Sequence, residues 1–344
     1  MSDFKISIIM PVYNSDKFLK ESLDSIVNQS IGIQNLEVII VDDASTDRTK
    51  DILDEYSAKY SNFKVIHLKE NIGAAYGPRN VALKEVTCDY VMFLDADDTF
   101  TPQACEILYN EITLKDVDMV FGRYFRVYED FKLKSYSPYN DDFNCPNDLE
   151  YNPNFNGIIS FLWSKIFYRI MYGKAIESDD KVLISDIRKN PEILKILPSL
   201  WTRIIKTSKI REFPPLITGE DLNLILDIYN DSELVFLNNS FITNYSMRFD
   251  EDELSITKNI NFKLVLDSIR AYRLAIEKSQ KYAFRRINKM INPFLLNYMM
   301  LLRQGNFNSS EKRILKEEII KLDKVYDDKG LLGFLIVKMI KFLS

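Results

Sequence analysis

The first hundred residues alternate short apolar runs with amphipathic stretches, and no other feature of the sequence narrows the fold as much. Residues 6–10, 38–41, 65–68 and 90–94 are each four or five residues long and mostly apolar, the pattern of strands buried on both faces of a parallel sheet. Between them, residues 16–28 place Leu19, Leu23 and Ile26 on one helical face, and residues 47–60 do the same with Ile52, Leu53 and Tyr56. A β-α-β-α-β-α-β series of this kind folds into a doubly wound, mostly parallel sheet flanked by helices. Its ligands sit beyond the carboxyl ends of the strands.

The four strand exits are therefore where chemistry is expected, and each carries a polar cluster. The first run leaves through Pro11-Val12-Tyr13-Asn14 and the second through Asp42-Asp43. The third leads to Glu70-Asn71-Ile72-Gly73, and the fourth ends in Asp95-Ala96-Asp97-Asp98. A lone D-x-D is weak evidence, since aspartates are common turn formers. Four such exits on one sheet edge are much harder to read as turns alone. Asp95 and Asp97 straddle one residue, so their carboxylates can converge on a hard cation whose remaining positions are filled by water and phosphate oxygens. Asp42 can accept hydrogen bonds from a base or ribose, Tyr13 can stack on the base, and Arg79 can offer a fork to a carbonyl or phosphate.

Composition removes the competing chemistries. The chain has one histidine, His67, so poly-histidine metal sites are excluded and a Ser-His-Asp or Cys-His mechanism would depend on that residue alone. His67 lies inside the third strand and reads as a packed or satisfied core side chain rather than a catalyst. Cys88, Cys105 and Cys145 contain no C-x-x-C pair, which rules out a disulfide framework and a cysteine zinc site and points to a reducing compartment. Acid–base and metal chemistry falls to carboxylates.

Beyond residue 100 the regularity fades. One more strand is expected at 119–124, a polar surface loop over 136–156, and apolar helices at 158–172, 192–206 and 219–229. In 158–172 the aromatic run of Phe161, Trp163, Phe167 and Tyr168 reads as helix core rather than as a ligand-stacking platform. From about residue 261 the pattern is helical, with a break at Asn292-Pro293 and a polar turn at 305–310. The expected division is an α/β domain over residues 1–260, including the segment at 123–210, and a helical C-terminal region over 261–344.

These residues together resemble family 2 glycosyltransferases of GT-A fold. The resemblance is carried by residues 7–14 (SIIMPVYN), 41–47 (VDDASTD), 70–73 (ENIG), Arg79-Asn80 and 93–98 (FLDADD), in the family's order and spacing. It returns at Leu200-Trp201, at Gly219-Glu220-Asp221, and from Tyr245 through Arg248 and Ser255 to Thr257. It implies that Pro11, Tyr13 and Asp42 hold uracil and ribose and that Asn71 and Arg79 complete the nucleotide pocket. Asp95 and Asp97 would engage the ribose and a Mn²⁺ or Mg²⁺ on the diphosphate. Asp221 would be the base that deprotonates the acceptor hydroxyl, Glu220 would orient the donor sugar, and Arg248 and Ser255 would close over the diphosphate. Read alone, Glu220 and Asp221 are also a helix cap and a first-turn acid favoured by the helix dipole.

The sequence departs from the family pattern at Gly77-Pro78 before Arg79, at Ala44 where a glycine is frequent, and at Thr202-Arg203 after Leu200-Trp201. No proposed carboxylate is lost. The resemblance further implies a UDP-sugar donor, UDP-GlcNAc or a similar hexose, and, more loosely, a cell-surface glycan or polyol-phosphate acceptor of the wall teichoic acid kind. No nucleic-acid partner is expected. A dinucleotide oxidoreductase is disfavoured because no G-x-G-x-x-G follows a strand. A sugar nucleotidyltransferase would carry a glycine-rich basic loop where Pro11–Asn14 stands. A catalytically silent nucleotide-sugar-binding module is the remaining alternative.

Charge and hydropathy bear on location. The start has no basic segment followed by an apolar stretch, so a cytoplasmic protein is expected. Residues 261–344 hold 17 Lys and Arg against 8 Asp and Glu, a net +9 that leaves −14 on residues 1–260. Residues 331–343 place ten large apolar residues in thirteen, too short a run to cross a bilayer. Three placements fit: the chain's own core, a second subunit, or the inner face of the plasma membrane with Lys338 and Lys341 at headgroups.

Overall fold

The computed structural model describes residues 4–128, 131–135, 182–185, 199–246, 261–282, 305–325 and 338. Among the described residues ten strands form one sheet. Its first half is β1 (Ile6–Val12), β2 (Leu36–Asp42), β3 (Phe63–His67) and β4 (Tyr90–Phe93), which lie parallel in the order β3-β2-β1-β4. The helices between them are α1 (Leu19–Val27), α2 (Thr49–Lys59) and α3 (Tyr76–Leu83). The sheet is thus wound outward from β1 in both directions, and the crevice between β1 and β4 is its switch point. After β5 (Thr99–Phe100) and α4 (Ala104–Lys115), the second half is mixed. It holds β6 (Met119–Tyr128), β7 (Phe131–Ser135), β8 (Val182–Ser185), β9 (Arg203–Lys206) and β10 (Leu234–Ser246), with β9 antiparallel to both β4 and β6.

Strand periodicity sends alternate residues to two cores. Ile9, Ile39, Val41 and Phe93 pack on one face, with Leu224 of α5 (Glu220–Asp231), Ile269 of α6 (Phe262–Lys281) and Ile319 of α7 (Ser309–Val325). Ile8, Met10, Val38, Ile40 and Met92 face the other side, against Leu23, Leu53 and Leu108 of α1, α2 and α4. The C-terminal helices therefore share a core with the parallel half of the sheet. Each fully buried aliphatic side chain contributes about 1.5–3 kcal/mol.

The helix expected at 192–206 is corrected at its C-terminal end, because Arg203–Lys206 is the strand β9. Its two isoleucines satisfy strand and helix periods equally over so short a run. Pro78, in the first turn of α3, leaves that helix intact, since the first-turn N–H groups have no intrahelical partner to lose. Cys88 and Cys105 are buried and not in disulfides. The expected loop at 136–156, the helix at 158–172 with its aromatic run, Cys145, the 292–293 break, Arg248, Ser255 and 331–343 apart from Lys338 lie outside the described residues. Among the described residues no helix is long and apolar enough to cross a membrane.

Candidate active site

Three strand exits are tied together before any ligand is considered. Asn14, at φ +45°, donates its backbone N–H to Ser45 Oγ at 2.9 Å and accepts the Thr46 N–H on Oδ1 at 2.8 Å. Asp43 accepts the backbone N–H groups of Ile72 and Gly73 at 2.8 and 3.1 Å, holding the loop that carries Asn71 to the end of β2. Asp42 is buried at the end of β2, and its Oδ1 accepts the Ser45 N–H at 3.0 Å. Tyr13 stands 47% exposed beside them and Asn71 is also exposed, so both can meet a ligand at this edge.

At the β4 exit the three acids divide their roles. Asp98 is buried and accepts the Ser246 N–H at 2.9 Å, fastening the end of β10 to the acid turn. Asp95 and Asp97 remain partly exposed. Trp201 stacks on Tyr245 at 5.1 Å with rings 6° from parallel, and Tyr124 meets Trp201 edge-on at 4.7 Å. Burial together with the charges of Asp98, Asp97 and Asp95 holds the Tyr245 phenol above its ordinary range.

Arg79 is the centre of the site. It is buried on α3, and its Nη2 donates to Asp95 Oδ1 at 2.8 Å while Nη1 donates to Asp221 Oδ1 at 2.8 Å and Glu220 Oε1 at 3.1 Å. Phe213 lies under the guanidinium at 5.4 Å. Asn80 fixes that ring's backbone from both sides, accepting the Phe213 N–H at 2.7 Å and donating to its carbonyl at 3.0 Å. Gly219, at φ +76°, starts α5 and delivers Glu220 and Asp221 to Arg79.

One guanidinium faces three carboxylates. Burial pushes the Glu220 carboxyl up to about 8, with the Asp221 charge adding to the rise and Arg79 opposing it. Burial likewise raises Asp221 to about 6, against Arg79 and Arg203 and with Asp95. Both carboxyls are therefore held above the ordinary carboxylate range, and Asp221 is more basic than an ordinary aspartate.

The sequence placed Asp95, Arg79, Glu220 and Asp221 in a site, and these four are in direct contact. It put Arg79 in the nucleotide pocket without its carboxylate partners. It missed Asp43, Asp98, Asn80 and Phe213, although the first three sit inside recognised motifs. His67 is hydrogen-bonded at both ring nitrogens, to Asp42 and Asp54, and is about a quarter exposed rather than fully buried.

A parallel half-sheet, an acid turn at its switch point and a helix-borne carboxylate pair are the arrangement of the GT-A fold. Residues 7–172, just under half of the chain, match the family model for glycosyl transferase family 2. It is similar to the poly(ribitol-phosphate) beta-glucosyltransferase of Bacillus spizizenii, 42% identical over 119 residues that make up 35% of this chain and 19% of that protein. The poly(ribitol-phosphate) beta-N-acetylglucosaminyltransferase TarS of Staphylococcus aureus is 42% identical over 112 residues, 33% of this chain and 18% of its own length. The chain thus matches less than a fifth of either relative. The crystal structure of TarS residues 1–349 with UDP superposes with a TM-score of 0.67 at 19% identity, covering 99% of this chain and 90% of that one. A mannosyltransferase from Pyrobaculum calidifontis, solved with GDP-Man and Mn²⁺, gives 0.53 at 14% identity over 99% and 86%.

Proposed function

We propose that the chain is an inverting hexosyltransferase that moves a sugar from a UDP-sugar, UDP-GlcNAc or a similar donor, to a hydroxyl of a cell-surface glycan or polyol-phosphate polymer. The observation that carries this reading is the Arg79 bridge. It joins Asp95, at the edge where a diphosphate would sit, to Asp221, a carboxylate of raised basicity.

Pro11, Tyr13, Asp42 and Asn71 would hold the nucleoside along the tied strand exits. Arg248 and Ser255, beyond the end of β10, would reach the diphosphate. Asp221 takes the proton of the acceptor hydroxyl, a contribution of roughly 10²–10⁴-fold. Glu220, beside Asp221 on the same helix turn, would orient the donor sugar through hydrogen bonds to its hydroxyls. In-line attack on an α-linked donor leaves a β-linkage. Among the described residues no group of three or more ligating side chains occurs, so Asp95 and Asp97 would share a cation with phosphate oxygens and water. That donor set suits Mg²⁺ or Mn²⁺ with a nucleotide. When bound, the ion offsets charge on the departing diphosphate.

Asp221→Asn should lower transfer by at least about 10²-fold while UDP-sugar affinity stays within a few fold. Near-normal turnover by this variant contradicts the assignment. Chelation should abolish transfer and Mn²⁺ or Mg²⁺ should restore it. Full activity in chelator would remove the cation from the reading.

A further inference from the structure

The histidine of this chain sits where the nucleoside is expected. Asp42 is 2% exposed, and both its oxygens are held from within the protein: Oδ1 by the Ser45 N–H at 3.0 Å and Oδ2 by His67 Nδ1 at 2.8 Å. The other ring nitrogen of His67 meets Asp54 Oδ1 at 3.1 Å, so α2, β3 and β2 contribute one residue each to an Asp54–His67–Asp42 chain. Asp54 is 58% exposed on its side chain and His67 26%, so the outer contact is wet while the inner one is closed. An aspartate held at one oxygen can still turn about its terminal torsion, whereas one held at both presents a fixed pair of remaining lone pairs.

We propose that His67 is a positioning residue for nucleoside recognition: by donating from Nδ1 it sets the plane of the Asp42 carboxylate, and so makes the site prefer a base with a ring N–H donor, uracil, over one with a ring acceptor at that place, cytosine. The inference rests on the assignment of Asp42 to the nucleoside. His67 touches no reacting atom, so it acts on affinity and on base choice and leaves the chemical step alone.

The test is titration calorimetry of UDP and CDP, with donor KM and kcat, on the full chain and on His67→Phe, His67→Asn, His67→Gln and Asp42→Ala. His67→Phe keeps a ring without a donor and should weaken UDP by about tenfold, leave CDP unchanged and so compress the UDP-to-CDP ratio. The kcat at saturating donor should stay within about threefold of wild type. His67→Asn, whose amide can stand where Nδ1–H stands, should recover most of the UDP affinity, and His67→Gln, which reaches toward Asp54 instead, should not. Equal UDP affinity and equal base preference in the Asn and Gln variants would overturn the inference even if the Phe variant failed to fold. A loss of UDP affinity in Asp42→Ala that no His67 variant shares would also overturn it. Unchanged UDP affinity in Asp42→Ala would instead remove the nucleoside assignment beneath it.

Discussion

Arg79 carries a single positive charge against Asp95, Glu220 and Asp221, and its removal should be felt twice. Arg79→Met leaves buried carboxylates uncompensated and should cost about 3–5 kcal/mol in urea unfolding at neutral pH. The deficit should shrink as the pH falls and the acids take up protons. A deficit independent of pH would mean that packing, not charge, sets the cost. The carboxylate pair makes a second prediction. Both groups sit above their ordinary values of 4.5 and 3.8, at about 8 for Glu220 and about 6 for Asp221. The folded state then binds protons more readily than the unfolded chain, so this pair opposes folding increasingly as pH rises through that window. Glu220→Gln should gain thermal midpoint relative to wild type from about pH 5 to about pH 8, and a difference flat in pH would contradict the assignment. For catalysis, kcat/KM should rise with pH through about 6 as Asp221 loses its proton. Asp95, Glu220 and Asp221 were legible because each sits in a short motif at a strand exit or helix start. That Arg79 joins them was not, since its partners lie 16, 141 and 142 residues away and only the folded sheet brings them together.

The start of α5 sets where Glu220 and Asp221 point, and Gly219 makes that start possible. A Cβ at Gly219 would lie 2.6 Å from the Ala271 Cβ on α6, and the residue's φ of +76° disfavours any side chain. Gly219→Ala should lose about 1–3 kcal/mol and lower kcat with it. Adding Ala271→Gly should restore part of the stability by relieving the contact, whereas simple additivity in this double mutant would show that backbone strain alone is responsible. Elements were legible in proportion to their length and isolation. The four parallel strands were found to within a few residues because each is a short apolar run between clear helical stretches. The strand β9 was not, because its two-isoleucine run is too short to tell a helical period from a strand period, even with Pro198 and Ser199 ahead of it.

The C-terminal helices are built into the molecule rather than hung from it. Leu264, Val265, Ile269, Leu315, Ile319 and Leu322 are buried in the core that also holds Ile9, Ile39 and Phe93 of the catalytic sheet. Helical periodicity showed that residues after 261 form helices. It could not show which face they cover, because an amphipathic stripe fits any apolar partner. Removal of residues 261–344 should therefore expose that core, and the shortened chain should show early thermal unfolding or aggregation. A truncated protein with an unchanged midpoint would mark residues 1–260 as self-sufficient. The central claim is that this site transfers sugar, and UDP release measured with a panel of UDP-sugars, with and without a poly(ribitol-phosphate) acceptor, tests it most directly. One UDP-sugar should yield metal-dependent UDP release that rises when acceptor is added, together with a β-linked product, and Asp221→Asn should give neither. UDP binding with no release above the Asp221→Asn background, whichever sugar or acceptor is supplied, would contradict it.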